Sequence, residues 1–545
     1  MTSRSLGHRA PLLWLVLPLL AGLAVGRAGE ILPVSWLLTG SSVLVVLAGI
    51  ITLRGWPGWA PALCSAMILA GMSLYALQRP RLAVWDRLPP REAVLGLRIT
   101  RTFAQNDAKS ISGMAVIERT APHLRELIGQ RVYFSLALGA GETEPVRSSL
   151  MEAIGVITSL PRDPPADTFD GYLANAGINY RFARGRFLET VQPASAYRQF
   201  CARMAKRFSE ILGRGVETKQ PELTGVLRAM LLGQQSELTD EQGWMFRASG
   251  TMHVFSISGL HIAVIAAGLH ALLLLLRIPR IVRLVTELVA LWLYVDITGT
   301  VPSAVRAFIM VAMMLVSFTL RAPGNPISAL AVSALIVLIF DPLQVFSASF
   351  QMSYGIVAAL LLIGLPLAEK WQETWPLFTR LPRATWRWHH VVIDWIWRWM
   401  LVALGIGVAA SLVSAVTGVL FFQLFTPGAL LANLAVIPTS SFVILAGFAS
   451  LLCGLVGFTA GSLLANHAAV FVLWLVEHGI RGFMYLPAMW FNAAFKAEWI
   501  GVVTLGVLLA VLIDGYARRW RGWQRFFWAP FAVVAIGFLC GVRFG

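Results

Sequence analysis

The sequence predicts a polytopic α-helical membrane protein of about twelve transmembrane helices with a small, OB-like β-barrel inserted after the third. Three observations predict this. The 545 residues are 57% hydrophobic and only 13% charged, and the mean hydropathy of +0.70 exceeds what a soluble domain tolerates. The apolar residues gather in runs close to the roughly 20 residues that a helix needs to cross a bilayer. One stretch, residues 80–192, breaks the pattern with regular charges and strand-like alternation.

The strong apolar runs are Pro11–Gly26, Ile31–Leu53, Trp59–Leu77, Met252–Leu276, Val301–Leu320, Phe350–Ala368, Met400–Phe422, Ala429–Phe458, Ile500–Ile513 and Trp528–Val542. Weaker ones lie at Ile281–Ile297, Ile327–Phe340 and Ala460–Val476. Arg4, His8 and Arg9 precede the first run in the manner of a signal peptide, but two further spans follow at once, so a retained helix is expected. The formal charge is +16, and short basic segments beside spans stay cytoplasmic. Met1–Arg9 and Arg518–Arg525 are then inside, and three spans put the hydrophilic stretch after Leu77 outside. Cys64, Cys201, Cys453 and Cys540 are widely separated, which predicts neither a disulfide framework nor a thiolate metal site.

Within residues 80–192, strands are expected at Ala93–Phe103, Ile111–Thr120, Arg131–Leu138, Glu152–Leu160 and Tyr180–Val191, with a short helix at Phe169–Asn175. Five strands of this size fit an OB-like barrel; an open five-stranded sheet is the alternative. Glu92–Val191 holds eleven basic and eleven acidic residues, so this domain has no overall electrostatic footprint for nucleic acid. Residues 193–250 link it to the membrane again. Tyr197–Gly215 reads as a basic amphipathic helix on a membrane surface. Pro221–Gly233 and Thr239–Ser249 read as short helices, the second with a capping box from Thr239 to Gln242. The domains are thus 1–79, 80–192, 193–250 and a membrane domain at 251–545.

Polar residues at membrane depth are expensive and usually face a protein interior or a watery path. His253, Ser256, Ser258, Gly259 and His261 open the span after Gly250, and Gly259 marks a place for a helix break or a close helix contact. A metal held by His253 and His261 is a weaker reading, because no carboxylate or thiol lies nearby in sequence. In Asp296–Arg306, Pro302 suits the first position of a helix, and Arg306 then sits where the helix dipole opposes a cation. An anion bound by Arg306, the Ser303 hydroxyl and free amides would compensate, as would an ion pair with Asp296 or Asp341. Asp341 also reads as a helix cap, and Gln351 interrupts the next span. Phe425–Gly428, Asn433 and Pro438–Ser441 predict a broken or re-entrant helix pair. Trp386, Trp388, Trp395, Trp397 and Trp399 alternate with Arg380, Arg383, Arg387, Arg398, His389 and His390. Such a segment suits single-stranded nucleic acid, and suits a membrane interface better.

Four stretches in this order and spacing resemble the ComEC family of competence proteins. They are TFDGYLANAGI at Thr168–Ile178, LTDEQGWMFRASGTMHVFSISGLHIAV at Leu238–Val264, LYVDITGTVPSAVRAFIM at Leu293–Met310 and FDPLQVFSASFQMSYGI at Phe340–Ile356. The resemblance spans roughly Ile31 to Leu512, most of the chain. It implies a channel in the bacterial inner membrane that brings single-stranded transforming DNA into the cytoplasm, with the OB-like domain outside. Ser258, Gly259, His261, Ser303 and Arg306 fall on the family's motif positions, and the implied role is lining or shaping the DNA path; Asp341 and Gln351 join them as candidates. The implied partners are single-stranded DNA, membrane lipids, a competence DNA receptor, a separate ATP-driven motor or single-strand-binding protein, and a second copy in a homodimer. No cofactor, metal or catalytic residue is expected. Many family members continue into a metallo-β-lactamase-like domain; no His-x-His-x-Asp-His cluster occurs here, so hydrolysis of DNA is not expected of this chain. Two other readings share the fold: a transporter of small or lipid-linked molecules, and an intramembrane enzyme using His253 and His261.

Overall fold

The computed structural model describes residues 12–29, 32–78, 89–103, 110–139, 144–161, 164–321, 325–379, 381–521 and 527–545. Met1–Arg9, Pro11, Ile31, the boundary at 79/80, Arg380 and Arg525 lie outside the described residues. The N-terminal apolar runs form α1 (Leu13–Ala28), α2 (Val34–Leu53) and α3 (Trp59–Gln78).

Alternating residues then build β1 (Arg91–Phe103), β2 (Ser110–Thr120), β3 (Arg131–Ala137), β4 (Leu150–Ser159) and β5 (Tyr180–Gln192), with α4 (Phe169–Asn175) between the last two. The strands close into a barrel of order β1-β2-β3-β5-β4, in which only β3 and β5 run parallel. Every second residue points inward, so Leu95, Leu97, Ile117, Val132, Phe134, Met151 and Phe182 fill the interior. Closure brings backbones together: a Cβ on Gly185 would lie 1.8 Å from the Ile154 carbonyl oxygen.

Three helices follow. These are α5 (Ala196–Gly213), α6 (Pro221–Leu232) and α7 (Asp240–Ala248), whose start carries the expected Thr239–Gln242 capping box. The membrane domain comprises α8 (Gly259–Leu275), α9 (Arg280–Ile297), α10 (Pro302–Leu320), α11 (Pro326–Phe340), α12 (Ala348–Ala359) and α13 (Leu365–Thr374). It continues through α14 (Trp388–Phe422), α15 (Ala429–Leu455), α16 (Thr459–Met484), α17 (Glu498–Ala517) and α18 (Trp528–Gly541). A π-helical turn at Leu360–Gly364 joins α12 to α13. Among the described residues nine helical segments are long and apolar enough to cross a membrane, and α1, α11 and α18 are shorter apolar helices. The carrier of four charges, α9, is not among them.

One expectation needs correction. Pro438 does not break the chain, because α15 continues through it. Hydroxyls cover carbonyls around the proline: Thr439 Oγ1 donates to Ala435 and Val436, and Ser440 and Ser441 both donate to Ile437. The expected break at Phe425–Gly428 is present, and it contributes β6 (Leu424–Phe425) to a three-stranded sheet with β7 (Phe491–Phe495) and β8 (Val542–Phe544). That sheet was not foreseen, since strands of two and three residues give no alternation to read. The Trp-rich segment begins as a 3-10 turn at Arg383–Thr385 and then becomes the start of α14. With 35 residues, α14 is about 52 Å long, well beyond a hydrocarbon core of about 30 Å, so its first turns stand outside with Trp388 and Trp395 exposed.

Candidate functional site in the membrane domain

The predicted site residues gather around the start of α10. Pro302 occupies the first helical turn, and Ser303 Oγ donates to the Ile257 carbonyl at 2.7 Å, tying α10 to the non-helical link before α8. In that link, Met252–Val254 makes a 3-10 turn, and α8 starts only at Gly259. His261 is fully buried, and its Nδ1 accepts from the Ser258 amide at 3.2 Å with the Ser258 hydroxyl 3.0 Å away. An accepting Nδ1 places the ring proton on Nε2, which is buried with no hydrogen-bond partner. Gly259 is not required by packing, since a Cβ there would meet only Ala307 Cβ at 4.0 Å, an ordinary contact. The helix break is real; the close approach expected at this glycine is not.

Arg306 is the largest of the fully buried side chains. One of its amino groups donates to Gln344 Oε1 at 3.2 Å, and the other to the Ser349 carbonyl at 2.9 Å and the Ser349 hydroxyl at 2.6 Å. Its Nε has no partner. The ion pair expected with Asp296 or Asp341 is not formed, since the first pairs with Arg198 and the second faces Arg131 and Gln344, and the Ser303 hydroxyl donates to the Ile257 carbonyl. Neutral oxygens from the 3-10 turn Pro342–Phe346 and from α12 satisfy the guanidinium instead, which clamps α10 to the entry of α12.

Asp341 lies at the end of α11 and makes no side-chain cap, contrary to expectation. One carboxylate oxygen accepts from Gln344 Nε2 at 3.4 Å, and the other is 3.8 Å from the Arg131 guanidinium on β3. Gln344 thus bridges Asp341 and Arg306, and a polar chain runs from the barrel to the buried guanidinium. Gln351 stands apart, donating to the Val345 carbonyl at 3.1 Å.

A second junction surrounds Asp296. Its carboxylate accepts from Arg198 at 2.8 Å, from the Tyr197 hydroxyl at 2.7 Å and from Thr300 Oγ1 at 3.0 Å. Thr300 also receives the Arg147 guanidinium from the barrel. The hydrogen bond to Asp296 raises the Tyr197 phenol above its ordinary range, and burial lowers the Arg147 guanidinium below its own. Asp296→Ala would strand a guanidinium and two hydroxyls. Arg198 keeps a quarter of its surface, so we expect a loss of about 2 kcal/mol rather than the 3–5 of a fully buried pair, read as a lower Tm of the purified protein. Asp296→Asn, which keeps an acceptor, should recover part of it.

Several participants were missed. Gln344 and Ser349 look like ordinary polar residues in the sequence, and Arg131 and Arg147 belong to a domain with balanced charge. Another is Glu287 on α9, 1% exposed, with His270 Nδ1 of α8 at 2.7 Å and Arg283 at 4.0 Å. An acid in the middle of a largely apolar run was the available signal. Among the described residues no group of three or more His, Cys, Asp or Glu side chains could hold a metal ion.

Comparison with known proteins adds to this geometry. A family model described as "Competence protein" matches residues 230–519. ComE operon protein 3 of Bacillus subtilis (strain 168) is 27% identical over 199 residues, which is 36% of this chain and 25% of the relative. Competence protein ComA of Neisseria gonorrhoeae is 29% identical over 263 residues, 46% of this chain and 34% of the relative. The chain thus matches about a quarter to a third of the length of these curated relatives. No solved structure matches it.

Proposed function

From the premise that this chain belongs to the competence protein family, whose model covers residues 230–519, we propose that it is the inner-membrane channel for single-stranded DNA in competence uptake. The observation that carries the reading is the clamp at Arg306, which sits inside the matched segment and is linked through Gln344 and Asp341 to the barrel. A buried cation bound by neutral oxygens at an interrupted helix entry is costly, and proteins keep such groups in membranes on substrate paths. Ser258, Gly259, His261, Ser303, Arg306, Asp341 and Gln351 then line or shape the path. The chain conducts rather than catalyses, and an ATP-driven motor and a DNA receptor act from other proteins.

The orientation rests on charge. The barrel touches the membrane domain near Thr300, Asp341 and Gln423, the last through Asp167. From those points α9, α10 and α14 lead away to Arg280 and Arg283, to Arg321 and to Arg387 and Arg398. Basic residues concentrated at the ends remote from the barrel favour a cytoplasmic face there and an extracytoplasmic barrel. The nine long helices together with α1, α11 and α18 supply twelve spans, and α9, which returns the chain from Arg280 to the barrel face, adds a thirteenth.

The test is entry of labelled DNA into the cytoplasm of a competent host whose own channel gene is deleted. We expect uptake to return with this chain. No uptake, with the protein inserted and the host's other competence proteins present, would overturn the reading.

A further inference from the structure

Four aromatic rings meet on the surface of the barrel; Tyr133 also packs on the small core beneath α4, while Phe169 and Tyr172 stay open. Phe103 ends β1, Tyr133 lies on β3, and Phe169 and Tyr172 stand three residues apart on α4. Their rings form a closed circuit: Phe103 to Tyr133 6.2 Å, Tyr133 to Phe169 5.2 Å, Phe169 to Tyr172 6.0 Å and Tyr172 to Phe103 6.4 Å between centroids. The inner face of α4 is already buried through Gly171, Leu173 and Ala174, and Leu173 packs with Leu160 and Ile178 beneath. Phe169 and Tyr172 nevertheless remain 47% and 38% exposed.

Two arginines border the rings. Arg101 lies 5.3 Å from the centre of Phe103 and donates to the Tyr172 hydroxyl at 3.2 Å. Arg181 lies 6.0 Å from the centre of Tyr133 and is paired with Asp170 at 2.5 Å. Exposed rings with cations at their edge suit unpaired bases, which offer a flat apolar face beside a phosphate. The placement agrees, because OB barrels bind oligonucleotides at the mouth formed by the β1–β2 and β4–β5 connections. Since Asp170 offsets one arginine, attraction for the backbone is weak and stacking dominates. A duplex, whose bases are already stacked, gains little here.

Resting on the DNA-channel reading, we propose that Phe103, Tyr133, Phe169 and Tyr172 stack one or two bases of a single strand before it enters the membrane domain. Asp167, two residues before Phe169, accepts from Gln423 at the turn between α14 and β6, which fixes this surface against the membrane helices.

The experiment uses the full chain in lipid nanodiscs and fluorescence anisotropy of a labelled oligothymidine. Phe169→Ala with Tyr172→Ala should weaken binding roughly tenfold to a hundredfold, and an abasic oligonucleotide should lose a similar factor against the unmodified chain. Phe169→Tyr with Tyr172→Phe, which keeps both rings, should bind as the unmodified chain does. The salt slope should be shallow, corresponding to about one or two phosphates. In Tyr172→Trp, the oligonucleotide should quench the indole; quenching by bromine-labelled lipid chains instead would make this surface a membrane anchor and overturn the proposal. Unchanged binding by the alanine pair, or equal binding of the abasic strand, would also overturn it. Binding needs no passage, so failed uptake in the host experiment overturns the channel reading alone, while unchanged binding by the alanine pair overturns this site alone.

Discussion

Arg306→Ala, present as the sole copy, should lower transformation by more than about a hundredfold while the protein still accumulates in the membrane. The guanidinium supplies three hydrogen bonds to Gln344 and Ser349, each charge-assisted and worth about 1.5–3 kcal/mol. Alanine removes the donors, so the Gln344 and Ser349 oxygens lose the charged partner that ties them to α10. Losing even half of this, about 3 kcal/mol, shifts the balance between the clamped entry and a separated one by more than about a hundredfold. Insertion depends on the apolar length of α10, which the substitution does not shorten. Arg306→Lys should fall between, since an ammonium carries the charge but not the planar fork that reaches both partners. Transformation frequency, normalised to the amount of protein in the membrane, decides it: normal transformation with the alanine variant would remove Arg306 from the path.

The difference between what the sequence disclosed and what it hid follows from the distance along the chain. Local regularities were legible: alternation placed all five barrel strands to within two residues at each end, and the span from Thr239 to Gln242 announced a cap that the structure contains. The interrupted entry at Ser258–His261 was legible for the same reason, because polar residues inside an apolar run stand out. The partners of Arg306 lie 38 and 43 residues away, and Arg198 lies 98 residues from Asp296, so no spacing rule joins them. Pairing by proximity was misleading. Asp296 is ten residues from Arg306, but it sits in the last turn of α9, turned toward α5, while Arg306 faces the 3-10 turn after α11. The aromatic surface of the barrel was hidden differently. Its four rings come from three elements, and the charge count that argued against nucleic acid averaged over a whole domain.

Gly22→Ala and Gly71→Ala should each cost several kcal/mol and deplete the protein from the membrane, although alanine is ordinarily a better helix residue than glycine. These glycines form the crossing of α1 and α3. A Cβ on Gly22 would lie 2.1 Å from the Ile68 carbonyl oxygen, and one on Gly71 would lie 2.5 Å from the Leu19 carbonyl oxygen. The obstructing atoms are backbone, so no rotamer change relieves them and the helices must separate, at more than the 1–3 kcal/mol of common overpacking. The consequence reaches the site. Val16, Leu19 and Leu23 of α1 pack with Ala334, Leu338, Phe350 and Tyr354. Arg27 at the end of α1 lies over Phe346, which also meets Tyr75 of α3 edge-on. The segment that presents Gln344 and Ser349 to Arg306 therefore rests on this crossing. Gly49 in the middle of α2 is the matched control, because a Cβ there meets nothing within 4 Å. Gly49→Ala should be neutral or stabilising by about 0.5–1 kcal/mol. The ranking is read from membrane abundance and Tm of the three variants under one promoter. If Gly22→Ala were as abundant and as stable as Gly49→Ala, α1 and α3 could not cross at this separation, and the support assigned to the Arg306 clamp would have to come from elsewhere.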